Sequence, residues 1–232
     1  MYAQECDTLF SMTRRVIFAP DEYYHLYNRG TEKRTIFLSD SDYRRFQSLL
    51  YLCNRSAAAD LKTQGRTLEE VVSLGSPGGE TLVDVCVYCL MPNHFHLLVR
   101  AKSEDGISQF MQKLLTGYTM YFNKRKERNG VLFQGKFKAR HADTDTYLKY
   151  LIAYIHLNPV KLIDPEWKER GITNLSATEE YLHKYRYSSY LDHLGRTRTE
   201  GMILNKEALP EYFSSPEDLI SDAREWLTYN AS

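Results

Sequence analysis

The sequence predicts an α+β protein with a ferredoxin-like antiparallel sheet and with helices packed mainly on one face of that sheet. Two observations lead to this prediction. Segments with strand patterns and segments with helical periodicity follow one another in the order strand, helix, strand, strand, helix, strand, helix. The first six of these segments match the split β-α-β arrangement of ferredoxin-like domains.

The first predicted strand and helix precede a polar insertion. Residues 23–29 are rich in tyrosine and are followed by glycine, which is typical of a strand. Ser39 opens a helix in which apolar side chains recur every three or four residues. Residues 56–81 are polar and contain Ser-Pro-Gly-Gly, so we expect an exposed insertion with a short helix at 68–74.

A hairpin and a long helix occupy the middle of the chain. Residues 82–90 and 94–100 are apolar runs joined by the turn Met-Pro-Asn, as expected for two largely buried strands. Apolar side chains then recur with helical spacing from Ile107 to Phe122. This helix is predicted to end in the basic run at 124–126.

The later elements combine a basic strand with capped helices. Residues 133–141 alternate between basic and apolar side chains and predict a fourth strand. A helix over 147–158 has Asp143 or Thr144 as its cap, and the proline that follows ends it. A last helix is predicted after Ser215, with proline at its first position.

The composition is that of an ordinary globular protein: 43% of the 232 residues are hydrophobic and 26% are charged. No stretch approaches the ~18 consecutive apolar residues of a membrane span. The N-terminus lacks the apolar core of a secretory signal, and the four cysteines are too few for a disulfide framework. We therefore expect a cytoplasmic protein with an N-terminal extension (1–19), a main domain (20–165) and a C-terminal helical extension (166–232).

Charge is distributed unevenly along the chain, although the net charge is zero. Between Arg100 and Arg140 there are ten basic and three acidic residues, whereas from Leu162 onward thirteen acidic residues outnumber eight basic ones. A basic middle segment indicates an anionic partner for one face of the protein. On charge alone, a solvated run at a helix end explains the pattern equally well.

Two pairs of side chains are candidates for chemistry. His94 and His96 lie two apart in a strand, so both imidazoles project from one face, and paired imidazoles are common metal ligands. A third ligand must come from elsewhere, and an isolated pair of this kind is also found as ordinary surface or core histidines. Tyr154 and Asn158 lie four apart and therefore share a helix face. They offer a hydroxyl and a carbonyl oxygen to one ion, although Tyr154 also fits a packed aromatic.

Five short motifs resemble those of one family of DNA transposases. Pro-Asn-His-Phe-His at 92–96 is similar to the HUH signature of single-strand DNA nucleases. Asn-Arg-Gly at 28–30, followed by Ile-Phe at 36–37, resembles the opening motif of single-tyrosine insertion-sequence transposases.

The other three motifs resemble those of REP-associated tyrosine transposases. Residues 154–161 are similar to the end of the catalytic helix in that group, and residues 133–137 and 187–190 are similar to further motifs of it. The resemblance covers about residues 20–192. Together, the five motifs resemble those of the single-tyrosine HUH transposases, both REP-associated and IS200-like.

This resemblance implies a metal-dependent single-stranded DNA endonuclease and strand transferase. His94 and His96 would bind Mg²⁺ or Mn²⁺, with Asn158 as the third ligand. Tyr154 would attack a scissile phosphate, which leaves a 5′-phosphotyrosine link and a 3′-hydroxyl able to rejoin strands. The residue types themselves do not select the metal, because zinc suits imidazoles as well.

The resemblance also implies a partner and an assembly. Members of the family recognise imperfect DNA hairpins of repetitive palindromic elements, each flanked by a short single-stranded guide sequence. They are monomers or homodimers, and some dimers exchange the catalytic helix. The candidates for contact with the DNA backbone are Arg29, Lys124, Arg125, Lys136, Lys138, Arg140 and Lys161.

Two other functions remain open at this point. A domesticated DNA- or RNA-binding module would keep the scaffold and the basic face without catalysis. A metal hydrolase would use the two histidines with water as the nucleophile, and would turn over many times without a protein–DNA adduct. The presence of His94, His96 and Tyr154 together favours the transposase.

Overall fold

The computed structural model of the protein describes residues 18–57, 67–75, 78–210 and 212, with residues 218, 221, 222 and 225 of the tail. Residues 1–17, and most of the final helix that the sequence predicts after Ser215, lie outside the described residues. Within the described parts of the chain, no helix has both the length and the apolar character needed to cross a membrane.

The elements follow the predicted order. The strands are β1 (Tyr23–Arg29), β2 (Val83–Met91), β3 (His94–Ala101) and β4 (Lys138–His141). The helices up to the end of the predicted main domain are α1 (Asp40–Cys53), α2 (Leu68–Ser73), α3 (Gly106–Arg125) and α4 (Asp145–Leu157). The short helices α5 (Trp167–Arg170), α6 (Leu175–Lys184) and α7 (Tyr190–His193) follow.

The four strands form one antiparallel sheet in the order β2-β3-β1-β4. The two central strands are therefore β3 and β1, and the hairpin β2-β3 lies on one side with β4 on the other edge. This order is that of a split β-α-β domain, so the predicted ferredoxin-like α+β fold is confirmed.

Apolar side chains cover the two faces of the sheet differently. On one face, α1 and α3 pack over alternate side chains of the strands, such as Leu26 of β1 and Leu97 of β3, and form the larger core. On the other face, α4 packs over β2 and β3 through side chains such as Ile152 and Ile155. The part of this second face over β1 and β4 carries polar side chains instead, and the candidate site lies there.

The chain after α6 completes the second layer by pairing with the edge of the sheet. The backbone N–H of Leu90 donates to the carbonyl oxygen of Tyr187 (2.9 Å), and that of Ser189 donates to the carbonyl oxygen of Tyr88 (3.0 Å). Further along, the N–H of Asn205 donates to the carbonyl oxygen of Val85 (2.9 Å). These bonds satisfy an edge of β2 that would otherwise expose unpaired backbone groups.

The fourth strand is shorter than the sequence predicts. Only Lys138–His141 pairs with β1, whereas Phe133 makes a single isolated bridge to Gly30. Gly135, at φ +68°, turns the chain between the two contacts, so the alternation that begins at 133 does not continue as one strand. Gly30 itself is confined, because a Cβ there would lie 2.3 Å from the carbonyl oxygen of Arg34.

Helix α4 begins and ends close to the predicted positions. The hydroxyl of Thr144 accepts a hydrogen bond from the N–H of Tyr147 (3.2 Å), which makes Thr144 the cap. Pro159 would be expected to push Asn158 out of the helical region. Asn158 nevertheless keeps helical dihedral angles (φ −52°, ψ −39°) and starts a 3₁₀ turn over Asn158–Leu162. Tyr154 and Asn158 therefore remain on consecutive turns of one continuous helical path.

Candidate metal and nucleic-acid site

The two histidines of β3 lie on the polar part of the second face. His94 and His96 have ring centroids 5.0 Å apart, with the ring planes nearly perpendicular. His96 is buried with 6% of its surface exposed, and His94 is half-buried near the strand end. The alternation of a strand puts both imidazoles on the same side, as the sequence predicts.

Helix α4 brings Tyr154 to these histidines within the same chain. The ring of Tyr154 lies edge-on to His96, with centroids 5.6 Å apart, and edge-on to His25 at 6.2 Å. On the helix itself, Tyr150 lies nearly parallel to Tyr154, with centroids 5.7 Å apart and an angle of 28°. The ring of Tyr154 is thus held between its neighbour on the helix and the imidazoles on the sheet.

The asparagine before the histidine pair sets the proton position of His94. The side-chain Nδ2 of Asn93 donates to the carbonyl oxygen of Lys33 (3.3 Å), so the amide oxygen of Asn93 faces His94. Nδ1 of His94 lies 2.6 Å from that oxygen. Because an amide oxygen only accepts, His94 must donate from Nδ1, and the lone pair of its neutral ring is then on Nε2. This is the tautomer that a metal ligand at Nε2 requires.

His25 of β1 is part of the site, although sequence reasoning assigns it no role. It is buried with 3% of its surface exposed, and its Nε2 lies 2.8 Å from Nδ1 of His96. Burial lowers the pKa of His25 to about 3, with a smaller contribution from Arg140. The ring is therefore neutral at physiological pH. Within β1, His25 alternates with its neighbours so that it shares a face with Tyr27 and Arg29. The register of β1 against β3 puts this face on the side of His94 and His96.

Asn158 lies one turn beyond Tyr154 and is buried with 6% of its surface exposed. Its Nδ2 donates to the backbone carbonyl oxygen of Tyr154 (3.1 Å), so its amide oxygen Oδ1 is the atom able to bind a cation. In the described ranges, no group of three or more histidine, cysteine, aspartate or glutamate side chains is arranged to hold a metal ion. In a site built on the two histidines, Asn158 would supply a neutral oxygen ligand. The residues present fit a divalent ion in donor chemistry, with two imidazole nitrogens and one amide oxygen.

His156 faces the opposite way on α4 and serves packing. It is fully buried, and its Nε2 lies 2.9 Å from the hydroxyl of Ser189. The same hydroxyl accepts from the backbone N–H of Tyr88 in β2 (3.0 Å). Ser189 thus joins α4 to the sheet, which gives a structural role to the motif at 187–190.

Three basic side chains share the face of the histidines, as the strand register shows. Arg29 pairs with His94, and Tyr27 pairs with His96 on one side and with Lys138 on the other. Residues paired directly across an antiparallel ladder project from the same face. Arg140 pairs with His25 in the same way. Lys138 lies over the ring of Tyr27 (5.9 Å) and Arg140 over the ring of Tyr147 (4.7 Å), so each cation is held beside an aromatic ring.

The other basic candidates lie outside these strands. Lys161 is exposed in the 3₁₀ turn after Asn158. Lys124 and Arg125 end α3, on the face of the sheet opposite α4. Arg125 forms an ion pair (2.7 Å) with the fully buried carboxylate of Asp42, so it stabilises the α1–α3 contact. Lys136 precedes β4 and lines a surface depression beside α3. The structure therefore divides the predicted basic set between two faces.

Taken together, the fold and the site define an α+β domain with a histidine–tyrosine cluster and basic side chains on the exposed part of its sheet. A protein-family model described as "Transposase IS200 like" matches residues 78–158 of the chain. The matched segment contains His94, His96, Tyr154 and Asn158. This segment thus carries the sequence pattern of IS200-like transposases, which confirms the resemblance to that family inferred from the motifs.

Comparison with other proteins adds two solved structures at low identity. One is described as the structure of a REP-associated tyrosine transposase bound to a REP hairpin: it is 12% identical, with a TM-score of 0.48, over 88% of this chain and 99% of that chain. The other is tRNA(His) guanylyltransferase from Saccharomyces cerevisiae, which is 11% identical with a TM-score of 0.35, over 90% of this chain and 86% of that chain. No curated protein sequence matches the chain.

Proposed function

We propose that this protein is a metal-dependent single-stranded DNA endonuclease and strand transferase that acts through a 5′-phosphotyrosine intermediate. The observation that carries the proposal is the position of Tyr154, whose ring lies 5.6 Å from that of His96 in the same chain. A tyrosine ring edge-on to an imidazole, on a sheet face that also carries exposed basic side chains, has the components of covalent phosphoryl transfer. The match of this segment to IS200-like transposases supports the assignment.

In this proposal Tyr154 is the nucleophile. Its phenolic oxygen forms a bond to the scissile phosphorus, and the bond from phosphorus to the 3′-oxygen breaks. The phosphate stays on tyrosine as a 5′-linked diester, and the proton lost by the phenol is balanced by the one gained on the 3′-hydroxyl. A tyrosine hydroxyl has an ordinary pKa of about 10 and is a weak nucleophile at neutral pH, so the step needs electrostatic help.

The residues that would hold a cation are His94, His96 and Asn158, through Nε2, Nε2 and Oδ1. A bound Mg²⁺ or Mn²⁺ would offset the charge that develops on the phosphate. Three protein ligands leave room for water and phosphate oxygens in the shell that these ions prefer. The chain itself contributes the orientation of the ligands, since Asn93 fixes the His94 ring and the helix fixes Asn158.

The DNA-binding face in this proposal is formed by Arg29, Lys138, Arg140 and Lys161. Their charges would contact the phosphates of a hairpin and its single-stranded flank, which positions the strand without reading its sequence. Tyr154 and His96 lie beside each other in one chain, which supports a site formed within one protomer. Ser189 and His156 support this arrangement because they attach α4 to its own sheet.

The test of the proposal is an adduct assay with the whole chain. Labelled single-stranded DNA hairpins are mixed with the protein and Mn²⁺, with and without a chelator, and the products are separated on a denaturing gel. A metal-dependent protein–DNA band is expected, in an amount that never exceeds the protein. Binding without a band would indicate a binding module, and multiple turnover without a band would indicate a hydrolase with water as the nucleophile.

Removing the two cations of β4 is expected to weaken DNA binding. In the double variant Lys138→Gln, Arg140→Gln, the affinity for hairpins of any sequence falls, because two phosphate contacts are lost. The slope of log affinity against log salt concentration decreases in magnitude by about 1.4, at about 0.7 per contact for single strands. Fluorescence anisotropy titrations at several salt concentrations measure both quantities.

A matched control uses the other basic surface. The double variant Lys124→Gln, Lys126→Gln removes the same charge from the end of α3, on the face opposite α4. It should change the affinity and the salt slope little. An equal loss in both double variants would contradict the assignment of DNA to the face that carries Tyr154.

A further inference from the structure

The contact between His25 and His96 is a hydrogen bond between two buried imidazoles from different strands. Nε2 of His25 lies 2.8 Å from Nδ1 of His96, and the two rings lie nearly parallel with centroids 5.0 Å apart. Both side chains are buried, with 3% and 6% of their surfaces exposed. At this distance one of the two nitrogens must carry the proton and the other must accept it.

The direction of this bond decides whether His96 is able to bind a cation. If His25 donated, Nδ1 of His96 would hold the lone pair, and the proton of the neutral His96 ring would be on Nε2. That tautomer has no lone pair on Nε2. If His96 donates from Nδ1, its Nε2 carries the lone pair, and His25 carries its own proton on Nδ1.

The tautomer of His94 indicates which direction of the hydrogen bond between His25 and His96 suits a cation site. Its Nδ1 can only donate, because it faces the amide oxygen of Asn93. That oxygen is oriented by the bond from the Asn93 amide nitrogen to the carbonyl oxygen of Lys33. One imidazole of the pair is thus already held with its lone pair on Nε2. A cation held by both rings through the same nitrogen needs an acceptor at Nδ1 of His96 as well, and His25 is the group present there.

We propose that His25 is a positioning residue that accepts the Nδ1 proton of His96 and so holds His96 in the tautomer that binds the cation through Nε2. The inference rests on the proposed function, since it concerns the same metal site. Partners of this kind commonly orient metal-binding histidines, and their loss typically weakens metal affinity by about tenfold to a hundredfold. A role in packing alone would change the stability of the fold and leave the tautomer and the affinity unchanged.

The first measurement needs neither metal nor DNA. Long-range ¹H–¹⁵N NMR spectra of the metal-free protein with ¹⁵N-labelled histidine report which ring nitrogen carries the proton. We expect both His94 and His96 to be protonated on Nδ1. In His25→Phe the constraint on His96 is removed, so the Nε2-protonated form appears for His96 and the signals of His94 stay as they are. A wild-type His96 protonated on Nε2 would overturn the inference.

The second measurement is Mn²⁺ affinity, determined from the free-ion signal in electron paramagnetic resonance. His25→Phe should bind Mn²⁺ about tenfold to a hundredfold more weakly than the wild type. His25→Gln is the matched control, because its amide oxygen can accept from Nδ1 of His96, and it should restore most of the affinity. Thermal unfolding of each variant shows that the compared proteins are folded, and the wild-type spectrum tests the inference if His25→Phe fails to fold.

The outcomes separate this inference from the proposed function. Mn²⁺ binding that depends on His94 and His96, together with an unchanged affinity in a folded His25→Phe variant, would overturn the role of His25 alone. A wild type that neither binds Mn²⁺ nor forms a DNA adduct would contradict the proposed function. The tautomer spectrum would still report, in that case, whether His25 accepts from His96.

Discussion

Tyr154→Phe is expected to abolish the covalent protein–DNA adduct while leaving hairpin binding almost unchanged. The substitution removes only the phenolic oxygen, which in the proposed mechanism becomes bonded to phosphorus. The ring remains in place, because its contacts with Tyr150 and His96 are made by the aromatic faces and edges. Loss of the nucleophile should reduce the rate of adduct formation by at least about a thousandfold.

Tyr150→Phe provides the matched control for this prediction. Tyr150 lies one turn before Tyr154 on α4 and stacks on it, with ring centroids 5.7 Å apart. The variant loses one phenolic oxygen from the same aromatic cluster and should still form the adduct in the presence of Mn²⁺. If adduct formation survived in Tyr154→Phe and disappeared in Tyr150→Phe, Tyr150 would be the nucleophile and the assignment of Tyr154 would be wrong.

Acidification is expected to destabilise the metal-free protein strongly below about pH 6.5, the ordinary pKa of histidine. Burial lowers the pKa of His25 to about 3, that of His156 well below its ordinary value, and that of His193 to about 4. In this range the unfolded chain binds protons on these rings and the folded chain does not. The free energy of unfolding is therefore highest above pH 6.5 and falls as the pH drops toward the folded-state values.

The size of the effect follows from the number of protons taken up. Each histidine that is neutral when folded and protonated when unfolded contributes a slope of about 1.4 kcal/mol per pH unit. Urea unfolding of the protein in a chelator at pH 7, 6 and 5 measures the sum. His156→Gln keeps a polar group for Ser189 but cannot be protonated, so the loss of stability per pH unit should be smaller by about 1.4 kcal/mol.

His183→Gln is the control for the acid prediction. His183 lies half-buried on α6, and the variant without it is unfolded under the same conditions as His156→Gln for comparison. A slope in His156→Gln equal to that of the wild type would show that His156 is not a neutral, buried group in the folded protein.

Most of the fold could be predicted from local patterns. Each of these patterns depends on a few neighbouring residues and predicts one element. They are the tyrosine-rich run of β1, the two apolar runs of β2 and β3, and the apolar spacing in α1, α3 and α4. The order of these elements then indicates the ferredoxin-like sheet. The start of β4 was less predictable, because Phe133 satisfies the alternation but belongs to a separate bridge before Gly135. The roles of His94, His96, Asn158 and Tyr154 stay predictions that the geometry supports.

The kinds of element and the chemical types of the candidate site residues follow from the sequence, because both depend on short motifs and on spacing along one strand or helix. Which residues share a face depends on how the strands and helices assemble. His25 and His96 are 71 residues apart, and only the register of β1 against β3 brings their nitrogens together. The packing of α3 on the opposite face of the sheet separates Lys124 and Arg125 from Lys138 and Arg140. The physical reason is that a face of a sheet is assembled from several strands, and no single segment encodes the neighbours it will meet there.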